Sequence, residues 1–181
     1  AAAAQFGAQP WWTYLPRRDD TTMVQPSKFY ANTIAFRTAI YRKVGGFPAL
    51  GRKTRGASSL IGAALAKLGV RVWENPSAAV DHPPPADLKH LAVRAIAHGR
   101  DHYMKHGEER HLGGLARSVG IAVSRLGRGW YRTLRYGHRV GLPLWEVPYS
   151  FTVTGTYHAF FALGGILTHL SPEMMGRRFR V

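Results

Sequence analysis

From Val147 to Pro172 the chain carries no formally charged side chain, although charged residues make up 19% of the whole. A stretch of this length can reach across a bilayer if it is helical. Its composition makes that marginal: between Tyr149 and Leu170 there are 12 hydrophobic residues, 3 Gly and 7 polar residues. Arg139 precedes the stretch, and Arg177, Arg178 and Arg180 follow it. Basic residues on both flanks fit a re-entrant or interfacial hairpin at least as well as a single crossing.

The segment just before it sharpens the picture. No acidic residue lies between Arg110 and Trp145. Helical spacing over 112–138 puts Leu115, Val119, Ala122, Leu126, Trp130 and Leu134 on one side. The other side carries Arg117, Arg125, Arg128, Arg132 and Arg135. Such a basic amphipathic helix suits the headgroup plane of an anionic membrane, and these five arginines with Trp130 are the candidate membrane-binding residues. A solvated or partner-binding face is the second reading. Nucleic acid is the third and is not favoured: Trp130, Tyr131 and Tyr136 can stack on bases, but no recognised binding motif accompanies them.

Composition narrows the rest. A net charge of +15 over 181 residues attracts polyanions such as anionic lipid, nucleic acid or phosphorylated substrates. Of the 25 cations 19 are Arg, which favours planar contacts to phosphate or carboxylate. Zero Cys removes disulfide scaffolds, zinc ribbons and thiol catalysis. Hydrophobic residues at 45% exclude disorder as the main state. The start, Ala1 to Pro10, has neither the basic opening nor the apolar run of a signal peptide, and it reads as the middle of a longer polypeptide.

Along the chain, prolines at 10, 16 and 26 predict an irregular segment over 1–27. A strand is expected over 28–36, then a short helix over 37–44 stopped by Gly45-Gly46. Residues 57–68 predict a helix with Leu60, Ala64 and Leu68 on one face and Gly69 as its stop. Val70 to Glu74 alternates as a strand, Asn75-Pro76 turns, and Ala78 to Asp81 predicts a further short strand ending at His82. After Pro83-Pro84-Pro85 a helix is expected over 86–106.

The order Ala31-Asn32-Thr33-Ile34-Ala35-Phe36-Arg37, Gly45-Gly46-Phe47, Leu65 to Gly69, Val70 to Pro76 and Val80-Asp81-His82 resembles the acceptor-side half of a family 2 glycosyltransferase of the GT-A fold. The resemblance covers about Phe29 to Tyr103, and it is the ordered set that is specific. It implies an α/β fold: a partial GT-A-like mixed sheet with flanking helices over 28–108. An α-helical region, basic and amphipathic and then apolar, follows over 109–181. The implied activity is transfer of a sugar from a nucleotide-sugar donor to a polysaccharide or lipid-linked acceptor, with inversion, at the cytoplasmic face of a membrane. Asn32, Arg37, Arg55 and Arg100 would line the substrate side, with a helix-surface ion pair as the other reading of Arg100. His82 would bind a divalent ion, manganese or magnesium, on the donor diphosphate, and the other reading of this strand-end His is a capping donor.

Two departures stand against that. Such chemistry needs a carboxylate to take the acceptor proton. The family places an acidic pair after Gly56, where this chain has Ala57-Ser58-Ser59. Asp19, Asp20 and Asp81 are substitutes with no pattern behind them. The nucleotide-binding half, with its Asp-x-Asp, is also absent, so an upstream segment or another chain would have to complete the site. A non-catalytic, membrane-bound assembly subunit on the same scaffold is therefore the alternative. Finally, His98, His102, His106 and His111 form a row that can hold a metal at i, i+4 spacing, but a solvated polar face is the preferred reading.

Overall fold

The computed structural model describes residues 3–8, 22–24, 34–47, 57–75, 83–106 and 112–179. The chain forms two compact units. One is Pro16–Asp81; in the other, Ala1–Leu15 joins His82–Val181.

In the smaller unit, β1 (Thr22–Val24) pairs antiparallel with β2 (Val72–Glu74), with Met23 opposite Trp73. Helix α1 spans Thr38–Lys43 and α2 spans Ala57–Lys67. Both end as the sequence predicts. Gly45 and Gly46 take φ values of 80° and 73°, and Gly69 takes 63°, a region L side chains rarely enter. The Gly46 amide donates back to the Tyr41 carbonyl, and the Val70 amide to the Leu65 carbonyl. Phe36, Tyr41 and Phe47 cluster across the first turn with ring centroids 5.8 to 6.2 Å apart.

The expected α/β architecture is not what the chain adopts. Among the described residues the sheet consists of β1 and β2 alone, and the remaining regular structure is helical. The alternating stretch before Glu74 does form a strand. Its partner comes from Thr22–Val24, inside the segment expected to be irregular, so the pairing is one antiparallel ladder and not a mixed sheet. Residues 34–37 have no regular structure, so the predicted strand over 28–36 does not extend through them. The rest of that strand and the one expected before His82 lie outside the described residues. On α2 the buried face is Ile61 and Leu65, one residue on from the expected Leu60, Ala64 and Leu68; Leu60 and Leu68 are exposed.

The larger unit is built around α5 (Val147–Leu170), with α3 (Leu88–His106) and α4 (Leu112–Tyr136) against it and α6 (Pro172–Arg178) folded back on its end. The charge-free stretch is thus one unbroken helix, with Pro148 in its first turn where a missing N–H costs nothing. Contacts advance together along α3 and α5, from Leu91 and Ala95 near Tyr157 to Tyr103 against His169, so these helices run parallel. Thr133 meets Ser150 while Ser118 meets Gly165, so α4 runs antiparallel to α5.

Small residues set these crossings. A Cβ on Gly99 of α3 would lie 2.9 Å from the Phe161 carbonyl carbon, and one on Gly129 of α4 would lie 2.7 Å from Thr154 Cγ2. The helix backbones therefore nearly touch, as in small-residue packing between membrane helices. Two of the buried hydroxyls are satisfied locally: Thr133 and Thr168 donate to the carbonyls four residues back, at 3.0 and 2.6 Å. The short helical turn Ala3–Gln5 closes one end. Ser150 Oγ donates to the Ala4 carbonyl at 2.8 Å, and Gln5 Nε2 to the Pro85 carbonyl at 3.0 Å.

Candidate membrane-facing surface

Helix α4 has three faces, each about a third of its circumference. The buried face is a line of small residues: Gly114, Ser118, Ala122, Gly129 and Thr133. The second face is apolar and turned outward. It carries Leu112, Val119, Val123, Trp130 and Leu134, with Val123 63% and Leu134 66% exposed. The third is basic, with Arg117, Arg128 and Arg135 exposed and Arg125 and Arg132 half-buried towards α5. The expected two-sided helix is therefore three-sided. Of the apolar side read from the sequence, Ala122 alone is fully buried, while Val119, Trp130 and Leu134 remain at the surface.

Further large apolar side chains are exposed beyond α4. At the bend into α5, Leu144 and Trp145 are almost free of contacts, with Trp145 78% exposed. Tyr149, Leu163 and Leu170 then lie exposed along α5. Trp130 stacks on Phe151 at 5.4 Å and donates its Nε1–H to the Phe151 carbonyl at 3.3 Å, which fixes the indole at the edge of this surface. The interior of this unit mixes large apolar side chains such as Tyr157, Phe161 and Met175 with small and polar ones, while further large apolar side chains stand at the surface. Among the described residues no helix is long and apolar enough to cross a membrane.

Of the residues expected on a substrate side, Arg37 stands exposed at the start of α1, and its carbonyl accepts the Tyr41 amide. Arg100 is in a different place altogether. It is 2% exposed, ion-paired to Asp101 at 2.6 Å, and its Nη1 donates to the carbonyls of Met175 and Phe179 at the end of α6. It ties α3 to α6 and has no donor left at the surface for a substrate phosphate. Asn32, Arg55 and His82 lie outside the described residues. Among those described, no three His, Asp or Glu side chains converge to hold a metal ion.

Within the histidine row, His98 and His102 are partly buried and not a solvated face. His98 Nδ1 hydrogen-bonds Tyr157 Oη, and the His102 ring meets Phe161 edge-on at 5.7 Å, so both serve the α3–α5 contact. His106 and His111 have no described side chain. His158, which sequence reasoning did not single out, is buried in α5. Desolvation, and then the positive fields of Arg125, Arg132 and Arg128, lower its pKa from 6.5 to about 4, so it is neutral at pH 7. Nothing in its sequence surroundings marks it, because the three arginines meet it across a helix interface. Compared with protein-family models, characterised proteins and solved structures, the chain matches none.

Proposed function

We propose that the helical unit holds this chain against an anionic membrane surface, as part of a membrane-associated glycosyltransferase. That enzyme passes a sugar from a nucleotide donor to a lipid-linked or polysaccharide acceptor at the cytoplasmic face. The observation that carries the membrane reading is the outward apolar face of α4 flanked by exposed arginines, with no acid in the helix. Laid in the interface plane, α4 buries Val119, Val123, Trp130 and Leu134 among acyl chains while Arg117, Arg128 and Arg135 reach headgroup phosphates. Apolar burial together with about 1 kcal/mol per arginine gives on the order of 5–10 kcal/mol before the cost of immobilisation. The sugar-transfer reading rests on the sequence resemblance over Phe29 to Tyr103, although the mixed sheet which that resemblance implies is not the fold adopted.

Two assays on the intact polypeptide containing this chain test the two halves separately. Co-sedimentation should occur with vesicles containing phosphatidylglycerol, weaken with salt, and be lost with pure phosphatidylcholine; equal binding to both would reject the electrostatic part. Release of nucleoside diphosphate from a sugar nucleotide on adding a lipid-linked acceptor tests transfer. Vesicle binding without any turnover or donor binding would favour the non-catalytic assembly subunit, consistent with Ala57-Ser58-Ser59 in place of an acidic pair.

A further inference from the structure

The Phe161 ring, midway along α5, is surrounded by cationic and titratable groups from three helices. The Arg125 guanidinium of α4 lies 4.9 Å from its centroid, the His102 ring of α3 at 5.7 Å, and the His158 ring at 6.3 Å. One turn earlier on α5, the Tyr157 ring has His158 at 5.2 Å and His98 at 6.1 Å. Arg128 and Arg132, one and two turns further along α4, add to the positive field that lowers the His158 pKa. Neither α4 nor α5 contains an acidic residue. The one acid of α3, Asp101, is committed to Arg100.

No carboxylate of α4 or α5 answers the Arg125 guanidinium, which stacks on the Phe161 ring. Arg125 is half-buried, and desolvation comes first among the causes that lower its pKa. His158 is 5% exposed, and its Nδ1 is buried with no hydrogen-bond partner. A half-buried guanidinium held only by an aromatic face and a buried imidazole nitrogen without a hydrogen-bond partner are both costly, and one multivalent oxyanion relieves both. The planar fork of Arg125 suits two oxygens of a phosphate at once, and the remaining arginines extend the field for a second phosphoryl group.

The geometry points to an anion site where α3 and α4 flank Phe161, taking a phosphate monoester or diphosphate through Arg125, with Arg128, Arg132 and the His158 Nδ1–H as further donors. Naming a lipid headgroup as one source of that phosphate rests on the membrane reading; the site itself does not.

The test is calorimetric titration of the full chain with inorganic pyrophosphate, alongside binding to vesicles of phosphatidate or of phosphatidylglycerol. The wild type should bind pyrophosphate, and the proton resonances of the His158 ring should shift on binding. Arg125→Gln should weaken binding roughly tenfold or more, and Arg125→Lys by less, since charge remains but the fork is lost. Lys89→Gln, an exposed change at the start of α3, should leave binding as it was, and circular dichroism checks that each variant folds. If the site takes a lipid, Arg125→Gln also removes a preference for phosphatidate over phosphatidylglycerol. If the vesicle preference is unchanged but pyrophosphate binding falls, the site takes a soluble anion. Absence of vesicle binding with an Arg125-dependent pyrophosphate isotherm would remove the membrane reading and leave the site standing. Pyrophosphate binding that is absent, or equal in wild type and Arg125→Gln, would overturn the site.

Discussion

Gly99→Ala is the most severe single-methyl change the helical unit offers. The added Cβ would sit 2.9 Å from the Phe161 carbonyl carbon, nearer still to its oxygen, and 3.1 Å from the Gly165 nitrogen. Comfortable carbon contacts lie at about 3.5–4.0 Å. All three obstacles are backbone atoms, so no side-chain rotation relieves them, and α3 must move away from α5 along its length. Overpacking of this kind costs typically about 1–3 kcal/mol, and a backbone obstacle places this case at the upper end. Against it, replacing Gly by Ala inside a helix gains about 1 kcal/mol. The net expectation is a loss of about 2 kcal/mol. Gly127→Ala is the matched control, since a Cβ there meets nothing within 4 Å, and it should stabilise by about 0.5–1 kcal/mol. Urea unfolding should thus separate two chemically identical substitutions by about 3 kcal/mol, with the melting temperatures moving in opposite directions. Equal midpoints for the two variants would refute the close α3–α5 crossing.

Two further outcomes follow from buried polar groups. The His158 ring binds its proton at about pH 4 when folded and at 6.5 when unfolded. Its contribution is therefore fully present above pH 6.5 and is lost as pH falls towards 4, because the unfolded state takes up more protons in that window. The upper figure is about 3 kcal/mol, nearer ~2 once solvent screening of the arginines is allowed for, and His158→Gln should flatten the stability profile between those pH values. Thr154 Oγ1 is buried without a hydrogen-bond partner, so Thr154→Val, which preserves shape, should raise stability by about 1 kcal/mol in thermal denaturation; a loss of that size would mean the hydroxyl is satisfied.

Helices were the legible part of this sequence. Their periodicity, their glycine stops and the Val72–Glu74 strand all carry local signals, and the five arginines and Trp130 of α4 lie on the helix as spacing predicts. What spacing could not tell was which face turns inward. On α4 the packed line is Gly, Ser, Ala and Thr, residues that weigh little in an apolar pattern, and their value lies in how closely backbones can approach. On α2 both Leu60 and Ile61 begin apolar rows, so burial depends on tertiary neighbours that the local pattern does not specify. β1 sits among prolines that mask it, and it forms because Val72–Glu74 offers a ladder. Among the described residues the mixed sheet expected from the resemblance to sugar-transfer enzymes is replaced by one antiparallel ladder, whose strands lie far apart in sequence and whose pairing is not specified by any local pattern. Arg100 looked available for phosphate in sequence, yet the carbonyls at the end of α6 claim it. The group around Phe161 draws on three helices, and no short motif spans it.

The chain contains no cysteine, so a single introduced thiol can be spin-labelled without background. Val123→Cys and Leu134→Cys on the outward face of α4, with Lys89→Cys as reference, measure the orientation of that face directly. With phosphatidylglycerol vesicles, the labels at 123 and 134 should become accessible to oxygen and shielded from a water-soluble nickel complex, while the label at 89 does not change. Labels at 123 and 134 that stay in water after vesicles are added would contradict the membrane-facing role of α4.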